Sequence, residues 1–458
     1  MIPRTTCACL AVALVAALPA AAAPSREAGW LADYLRVDTT NPPGNEAAAA
    51  ALLAGLLREQ GLPSERYVTP AGRVSLAARL PATVADAPVV VLLHHLDVVA
   101  AGEGWSVPPF AGEIRDGALW GRGAIDAKGL GIAQLAGLLA AAELPVRRRE
   151  LLWLAVADEE AGGGAGTAFL LEHHPALFAR VEAVIGEGGL NRTVLGRTLS
   201  WGIEVAQKRP LWLDVVARGR PGHASGRNPE SAAHRLIAGL ARALAAPEPW
   251  RVTPAARRYF EALAPFDPQA RAVAGELDAI AASGRPTGAI QPGMAGLFVD
   301  TFQITQLAAS ERINVVAAEA RASIDARLLP DTDESAWLAA LRERLGPGLE
   351  VAVRLSSPPS EPSPAEGPVW RALGAGLTGR GPVVPVFISG ITDARHFRER
   401  GVAAYGISPF ELEPELGRAV HGPDERIPLA AFDAGVARLR RIARALAAGE
   451  DLAAEAKR

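Results

Sequence analysis

The stretch PVVVLLHHLD, residues 88–97, joins a short apolar run to two histidines and an aspartate. Continuous apolar residues rich in valine are typical of a strand that is buried on both faces of a parallel sheet. A second such run, ELLWLAVA at 150–157, ends at an Asp-Glu-Glu triplet, and a helical pattern over 128–142 lies between the two. This alternation predicts an α/β fold whose polar strand ends meet at the ligand-binding edge of the sheet.

The pattern changes after about residue 205. Strand patterns at 210–218 and 320–328 and an amphipathic helical pattern at 334–345 predict an inserted α+β domain, with a Pro/Ser-rich exit hinge. A chain of 458 residues with 49% apolar residues is long enough for two cores. We therefore expect a signal peptide at 1–22, a catalytic domain in two parts at 23–205 and 362–458, and the inserted domain at 206–361.

The N-terminal segment places one arginine before an apolar run and an alanine tract with A-x-A cleavage sites. This pattern predicts a secretory signal cleaved after Ala22, hence a secreted or periplasmic protein with no membrane contact after cleavage. An uncleaved membrane anchor is the less favoured alternative, because the run is shorter than the ~20 residues of a span. Both cysteines, Cys7 and Cys9, lie in this segment. The mature chain would then contain no disulfide, thiol nucleophile or Cys-ligated zinc, and its metal ligands would be histidines and carboxylates.

The charge balance indicates which partners to expect. The chain has 47 basic and 50 acidic residues, a formal net charge of −3. This gives no electrostatic footprint for nucleic acid or an anionic membrane. We therefore expect a small-molecule or peptide substrate.

Five candidate metal ligands lie in separate segments of the chain: His95, Asp126, Glu160, Glu187 and His421. A single histidine at a strand end is more often structural, and a single acidic residue in a loop is usually solvated, so only their joint placement is informative. Asp97 follows His95 at the spacing that lets a carboxylate accept the other ring N–H and fix the tautomer. The adjacent Glu159 and Glu160 end a buried strand, where two carboxylates are costly unless cations compensate them. Such a donor set suits Zn²⁺, with Co²⁺ or Mn²⁺ as substitutes.

The motifs around these residues resemble the di-zinc aminoacylase and carboxypeptidase family. Its members include glutamate carboxypeptidase, acetylornithine deacetylase, succinyl-diaminopimelate desuccinylase and the carboxypeptidase S group. The resemblance covers nearly the whole mature chain in the same motif order: 94–126, ADEEAGG (157–163), GEGG (186–189), GRPGHAS (219–225), ERINVV (311–316), DARLLP (325–330), SGITDARHF (389–397) and HGPDERIP (421–428).

The resemblance implies a zinc-exopeptidase-like, three-layer catalytic domain with an inserted lid and dimerisation domain. It implies two zinc ions bridged by Asp126, one also held by His95 and Glu187 and the other by Glu160 and His421. Glu159 would be the general base that takes a proton from water and passes it to the leaving amine. Relatives hold the bridging aspartate in a cis peptide bond, so we expect one between residues 126 and 127. The implied reaction is hydrolysis of an amide bond in a peptide or N-acyl amino acid that carries a free carboxylate.

The resemblance also assigns substrate-contacting residues in the inserted domain and in the second part of the catalytic domain. His223 matches a histidine that stabilises the tetrahedral oxyanion, often from the second subunit of a homodimer; without the resemblance it would be an ordinary surface residue. Asn314, Arg327 and Arg395 match positions that hold the substrate carboxylate and reacting carbonyl, and Gly390 would add backbone contacts. The two arginines could instead form structural ion pairs. Residues 247–292 look like extra length in the lid, and some relatives with enlarged lids are monomers.

Two other functions fit less well. A nucleotide-binding loop at 162–166 lacks both the G-x-G-x-x-G spacing and a following Lys-Ser/Thr. A periplasmic metal- or peptide-binding protein without turnover would have no need of the unliganded Glu159.

Overall fold

The computed structural model describes residues 23–378 and 382–449. The predicted signal peptide at 1–22 lies outside the described residues. The strands are β1 (Ser64–Val68), β2 (Val74–Leu80), β3 (Val89–His95), β4 (Glu113–Arg115), β5 (Ala118–Trp120), β6 (Glu150–Val156), β7 (Val181–Gly186), β8 (Arg192–Val194), β9 (Arg197–Gln207), β10 (Arg209–Arg218), β11 (Gly222–His223), β12 (Thr301–Ala308), β13 (Val315–Val316), β14 (Glu319–Leu328), β15 (Leu349–Ser356), β16 (Val383–Ile388), β17 (Ala403–Gly406) and β18 (Arg426–Pro428).

The α-helices alternate with single strands between β5 and β7 and from β14 onward. They are α1 (Arg26–Leu35), α2 (Glu46–Glu59), α3 (Lys128–Ala142), α4 (Phe169–His173), α5 (Ala232–Ala245), α6 (Pro254–Leu263), α7 (Pro268–Ala274), α8 (Leu277–Ser283), α9 (Glu334–Leu345), α10 (Gly367–Leu377), α11 (Ala394–Arg398), α12 (Pro414–Gly417) and α13 (Leu429–Ala448). Among the described residues, no helix has both the length and the apolar character needed to cross a membrane.

A mixed sheet in the order β1-β2-β6-β3-β7-β17-β9-β16 forms the centre of the catalytic domain. β3 lies parallel to both β6 and β7, and every residue of β3 is buried, as its continuous apolar sequence predicts. Its side chains alternate between two cores: Val90 and Leu92 pack with α1, α3 and α13 on one face. Val89, Val91 and Leu93 pack with α4 and α11 on the other face. This confirms the predicted three-layer α/β architecture.

The lid is a four-stranded antiparallel sheet in the order β12-β14-β10-β15. Helices α5 and α9 pack against each other and against this sheet, and they enclose a separate apolar cluster. Leu213 and Ile324 of the sheet meet Leu236 and Leu341 of the helices in that cluster. The chain enters the lid where β9 ends and β10 begins, as the change of pattern near residue 205 predicts.

The extra length between α5 and β12 does not enlarge the lid, which corrects the expectation for residues 247–292. We call residues 254–298 the helical insert. Its buried side chains, among them Phe260, Leu263 and Leu297, belong to the apolar core of the catalytic domain, and α6 packs against β16. Thr253 and Asp267 cap α6 and α7, and a proline follows each cap. The sequence shows that these helices have an apolar face, but it does not show which core receives it.

Candidate metal centre and active site

His95 ends β3 and is almost completely buried. Its Nδ1 lies 2.8 Å from the main-chain oxygen of Asp97, whereas the nearest carboxylate oxygen of Asp97 is 3.7 Å away. The partner that fixes the tautomer is thus the main-chain carbonyl of Asp97. The sequence analysis predicted the carboxylate of Asp97 instead. Nδ1–H donates to this carbonyl, and Nε2 faces the cluster of carboxylates.

The carboxylate of Asp97 holds the turn that follows β6. Its two oxygens accept the backbone N–H groups of Glu159 and Glu160, each at 3.1 Å. Asn41 donates to the same carboxylate from Nδ2 at 2.8 Å. Asp97 therefore sets the positions of the predicted base and of one predicted ligand, a positioning role that the spacing to His95 does not reveal.

The predicted ligands converge on Asp126. One oxygen of Asp126 lies 2.9 Å from His95 Nε2, and the other lies 3.1 Å from His421 Nε2. Glu187 comes within 3.5 Å of His95, and Glu160 comes within 3.4 Å of His421. Each oxygen of the central carboxylate thus faces its own histidine and glutamate. A carboxylate placed in this way could face a cation on each side.

Donor atoms within this cluster are close enough to share an ion. His95, Asp126 and Glu160 offer one group of atoms within 4.8 Å of one another, and His95, Glu159 and Glu187 offer a second. Imidazole nitrogens and carboxylate oxygens without thiolates fit Zn²⁺, Co²⁺ or Mn²⁺. Glu159, predicted as the unliganded base, also lies within reach of a cation at this site.

The electrostatics of the cluster are those of crowded buried carboxylates. Burial and the nearby Asp126 raise the pKa of Glu187 to about 8, and burial and Glu187 raise the pKa of Glu159 well above its usual range. Hydrogen bonds to Asp126 and Glu160 raise the pKa of His421 to about 10. Burial lowers the pKa of His95, but Glu187 and Asp126 outweigh it and hold that pKa well above its ordinary value. This negative field favours bound cations, which compete with protons for the same lone pairs.

A buried glutamate that the sequence analysis missed holds the loop before Asp126. Glu425 is fully buried, pairs with Arg122 at 2.7 Å and accepts the backbone N–H groups of Gly123, Ile125 and Asp126. The peptide bond between Asp126 and Ala127 is cis, as predicted. Glu425 lies four residues after His421, but no local pattern distinguishes it from a solvated acid.

Asp158, the first residue of the Asp-Glu-Glu triplet, is buried, whereas an acidic residue in a loop is usually solvated. Arg73 pairs with its carboxylate at 2.8 Å and also with Glu46. Asn41 donates to Asp158 at 3.2 Å as well as to Asp97, so one amide connects the two carboxylates on either side of the Glu159–Glu160 turn. The arginine comes from a loop far away in sequence, and this explains why the burial was not foreseen.

The glycine-rich loop after this turn has a packing role. A Cβ atom at Gly166 would lie 1.8 Å from the main-chain oxygen of Ala157, so the backbone approach admits only glycine. Packing therefore explains why this loop is rich in glycine, and a bound nucleotide is not needed to explain it. Arg395 is buried and donates to the carbonyl oxygens of Gly162, at 2.5 Å, and Thr392, at 3.2 Å. It thereby braces the same loop.

The other predicted substrate residues do not join the cluster. His223 is exposed in β11, with Nδ1 2.8 Å from Ser225 Oγ, and Asn314 is exposed in the loop before β13. Arg327 forms a two-point ion pair with Asp325 at 2.6 and 2.7 Å. Gly390 lies in an exposed bend after β16. The metal centre is thus assembled within the catalytic domain, apart from the predicted lid residues.

Comparison with known proteins identifies the family. The model for Peptidase family M20/M25/M40 matches residues 91–445. The chain belongs to this family. Aminoacylase-1B of Rattus norvegicus is 28% identical over 426 residues, which cover 90% of this chain and 93% of that protein. Succinyl-diaminopimelate desuccinylase of Methylobacterium sp. (strain 4-46) is 30% identical over 416 residues, which cover 87% and 90%.

A solved structure supports the same fold. An M20 family metallo-carboxypeptidase from Sulfolobus solfataricus superposes with a TM-score of 0.68 at 17% identity, over 92% of this chain and 99% of that one. The resemblance inferred from the motifs is therefore confirmed. This member of peptidase family M20/M25/M40 is a hydrolytic enzyme of the peptidase and amidohydrolase type, and its family implies dependence on metal.

Proposed function

We propose that this enzyme uses two zinc ions to hydrolyse the amide bond of a peptide or N-acyl amino acid that carries a free carboxylate. The observation that carries the proposal is the placement of Asp126, whose two oxygens face His95 and His421 at 2.9 and 3.1 Å. The aminoacylase and desuccinylase relatives, by their names, act on acylated amino compounds, and this supports the substrate class.

The residues would divide between the two ions as the resemblance implies. Asp126 would bridge them, His95 and Glu187 would complete one site, and Glu160 and His421 would complete the other. When bound, the two cations lower the pKa of the attacking water and polarise the scissile carbonyl. Co²⁺ and Mn²⁺ suit the same ligands as substitutes.

Glu159 takes a proton from the attacking water and delivers it to the leaving nitrogen. Burial and the nearby Glu187 raise its pKa above the usual range, which is the direction that favours a carboxylate accepting a proton. Asp97 supports this role because its carboxylate fixes the backbone N–H of Glu159. A binding protein without turnover is not favoured, since it would have no use for such a positioned base.

His223, Asn314 and Arg327 of the lid complete the site on substrate binding, together with Gly390 and Arg395 of the catalytic domain. His223 donates to the tetrahedral oxyanion, and Asn314, Arg327 and Arg395 with Gly390 hold the carboxylate and carbonyl ends of the substrate. Because the ring of His223 hydrogen-bonds to Ser225 in its own turn, it needs lid closure or the second subunit of a homodimer to reach a reacting carbonyl. We further propose that the enzyme acts outside the cytoplasm after removal of residues 1–22.

Metal reconstitution tests the proposal. The chain from residue 23 onward is stripped by a chelator, and Zn²⁺, Co²⁺ or Mn²⁺ is returned while dipeptides and N-acyl amino acids are offered. We expect about two ions bound per chain and amide hydrolysis that returns with the metal. Binding of two ions without hydrolysis of any of these substrates would favour the binding protein, and activity in the chelated protein would contradict the two-metal centre.

A further inference from the structure

A cavity of about 690 Å³ opens beside the metal centre, with Asp126 and Glu187 in its lining. We call it the apolar cavity. Its volume lies within the range of about 300–1,000 Å³ that is usual for small-molecule sites. Because two predicted metal ligands border it, an amide carbonyl held at the metals has one of its substituents at the entrance of this cavity.

The walls of the apolar cavity come from two parts of the chain. The catalytic sheet and its loops contribute Ile388, Ile407 and Phe410. The helical insert adds apolar wall from Tyr259, Phe260, Leu263, Met294 and Leu297. The insert therefore does more than fill the catalytic core, since it also lines the space next to the reacting centre with aromatic and aliphatic side chains.

Charged groups in the lining already have partners. Arg192 pairs with Asp267 at 2.6 Å, and Asp267 also accepts two N–H groups at the start of α7. Arg418 pairs with Glu415 at 2.8 Å. A ligand ammonium at the buried Asp267 would have to displace Arg192, whereas an uncharged hydrocarbon needs no polar partner. The lining thus favours an apolar substituent over a charged peptide terminus.

We propose that the apolar cavity binds the hydrocarbon chain of a medium- or long-chain N-acyl amino acid. The inference rests on the proposed hydrolase function and narrows its substrate class. The acyl half is assigned to the cavity because the residues proposed to hold the substrate carboxylate, Asn314, Arg327, Arg395 and Gly390, do not line it. In the reaction the acyl C–N bond breaks, the water oxygen joins the acyl carbon, and a proton passes to the nitrogen. The products are a fatty acid and a free amino acid.

A chain-length series tests the assignment with the metal-loaded enzyme. Acetyl, hexanoyl and decanoyl derivatives of one amino acid are compared below their micelle concentrations. Burial of each methylene should raise kcat/KM by roughly fourfold until the cavity is filled. Decanoate, as a product, should inhibit competitively far better than acetate, which gives a readout that does not depend on any variant. A preference for the acetyl substrate and equal inhibition by both acids would overturn the proposal.

A substitution that fills part of the apolar cavity tests whether the chain-length preference arises there. Met294→Trp places a larger side chain in the cavity wall, and we expect the ratio of kcat/KM for decanoyl over acetyl substrate to fall by roughly tenfold or more. Ile290→Trp is the matched control, because Ile290 is a half-buried residue of the same insert outside the lining. An unchanged ratio in a folded Met294→Trp enzyme would reject the cavity as the acyl site. Failure of the proposed function would look different, with none of the acyl amino acids or dipeptides hydrolysed.

Discussion

The metal centre and the lid place their candidate residues in opposite ways. In the catalytic domain, His95 is almost fully buried and lies within 3.5 Å of two carboxylates. In the lid, His223 is exposed and its ring hydrogen-bonds to Ser225 in its own turn. One half of the proposed site is thus preorganised within a single chain, whereas we expect the other half to need a change of position or a second copy.

The sheets explain this difference. β3 and β6 are parallel neighbours in the centre of the sheet, so their carboxyl ends bring His95 and Glu159 to one edge. His223 sits instead in a two-residue strand paired only with β13, where the neighbouring Ile313 is fully exposed. No packed core fixes that turn. Substrate or a partner chain can therefore move this turn more easily than the metal centre.

Replacement of the catalytic carboxylates should give the largest effect. We expect Glu159→Gln to retain metal and to lose roughly 10²–10⁴-fold in kcat, because the amide cannot accept the proton from water. Asp126→Ala should lose metal as well, since it removes the ligand that faces both histidines. Elemental analysis and steady-state kinetics on both variants check this. A Glu159→Gln enzyme with the wild-type rate would remove Glu159 from the mechanism.

The rigidity of the metal side can be tested at Arg73. This arginine joins the buried carboxylates of Glu46 and Asp158, and Arg73→Leu leaves both without a cation. Loss of one partner from a buried ion pair costs about 3–5 kcal/mol, so the free energy of unfolding should fall by that order. Urea unfolding measures it, with Arg66→Leu on the exposed strand β1 as the control. Equal stability of the two variants would show that the network does not hold the site.

The sequence predicts much of this metal side because the signal is local. The apolar runs that end at His95 and at Glu159 specify both the strand and the position of its polar end. The resemblance then assigned the five ligands, and the structure places them together. The cis bond after Asp126 was predicted in the same way.

The supporting residues could not be predicted, since their partners are distant in sequence. Glu425 is 299 residues away from the Asp126 N–H that it accepts, and Arg73 is 85 residues away from Asp158. The destination of the helical insert was missed for a similar reason. An amphipathic helix such as α6 reveals that it has an apolar face, but the core that buries this face is decided by tertiary packing.

The lid side of the comparison is tested at His223. We expect His223→Ala to lower kcat by roughly 10²–10³-fold with metal content unchanged, which is the usual cost of one lost oxyanion donor. His234→Ala is the control, because His234 is an exposed histidine on α5 of the same lid. An activity loss shared by both variants would indicate a general effect on the lid.

Mixed subunits decide whether His223 acts within its own chain. Sedimentation of the mature protein first establishes whether a dimer exists. Inactive His223→Ala and Glu159→Ala chains are then combined, and restored activity requires that a histidine serves the site of its neighbour. Absence of rescue after confirmed subunit exchange would mean that the lid closes on its own catalytic domain.

A gradual, pH-dependent effect is expected at the junction of the two regions. Lys208 links β9 of the catalytic sheet to β10 of the lid, is fully buried, and donates to Val299 O at 2.8 Å and Thr301 Oγ1 at 3.0 Å. Burial lowers its pKa from 10.5 to about 7, although Asp300 acts in the opposite direction.

Between these two pKa values the unfolded chain binds the proton of Lys208 and the folded chain does not. Stability should therefore rise with pH across this window, by at most about 1.4 kcal/mol per pH unit, and this contribution is lost as pH falls through the folded pKa. Urea unfolding of the wild type and of Lys208→Met at several pH values isolates the contribution of Lys208. The other titrating groups cancel in the difference between the two free energies of unfolding. A difference that stays constant from about pH 7 to 10 would show that the junction buries a charged lysine.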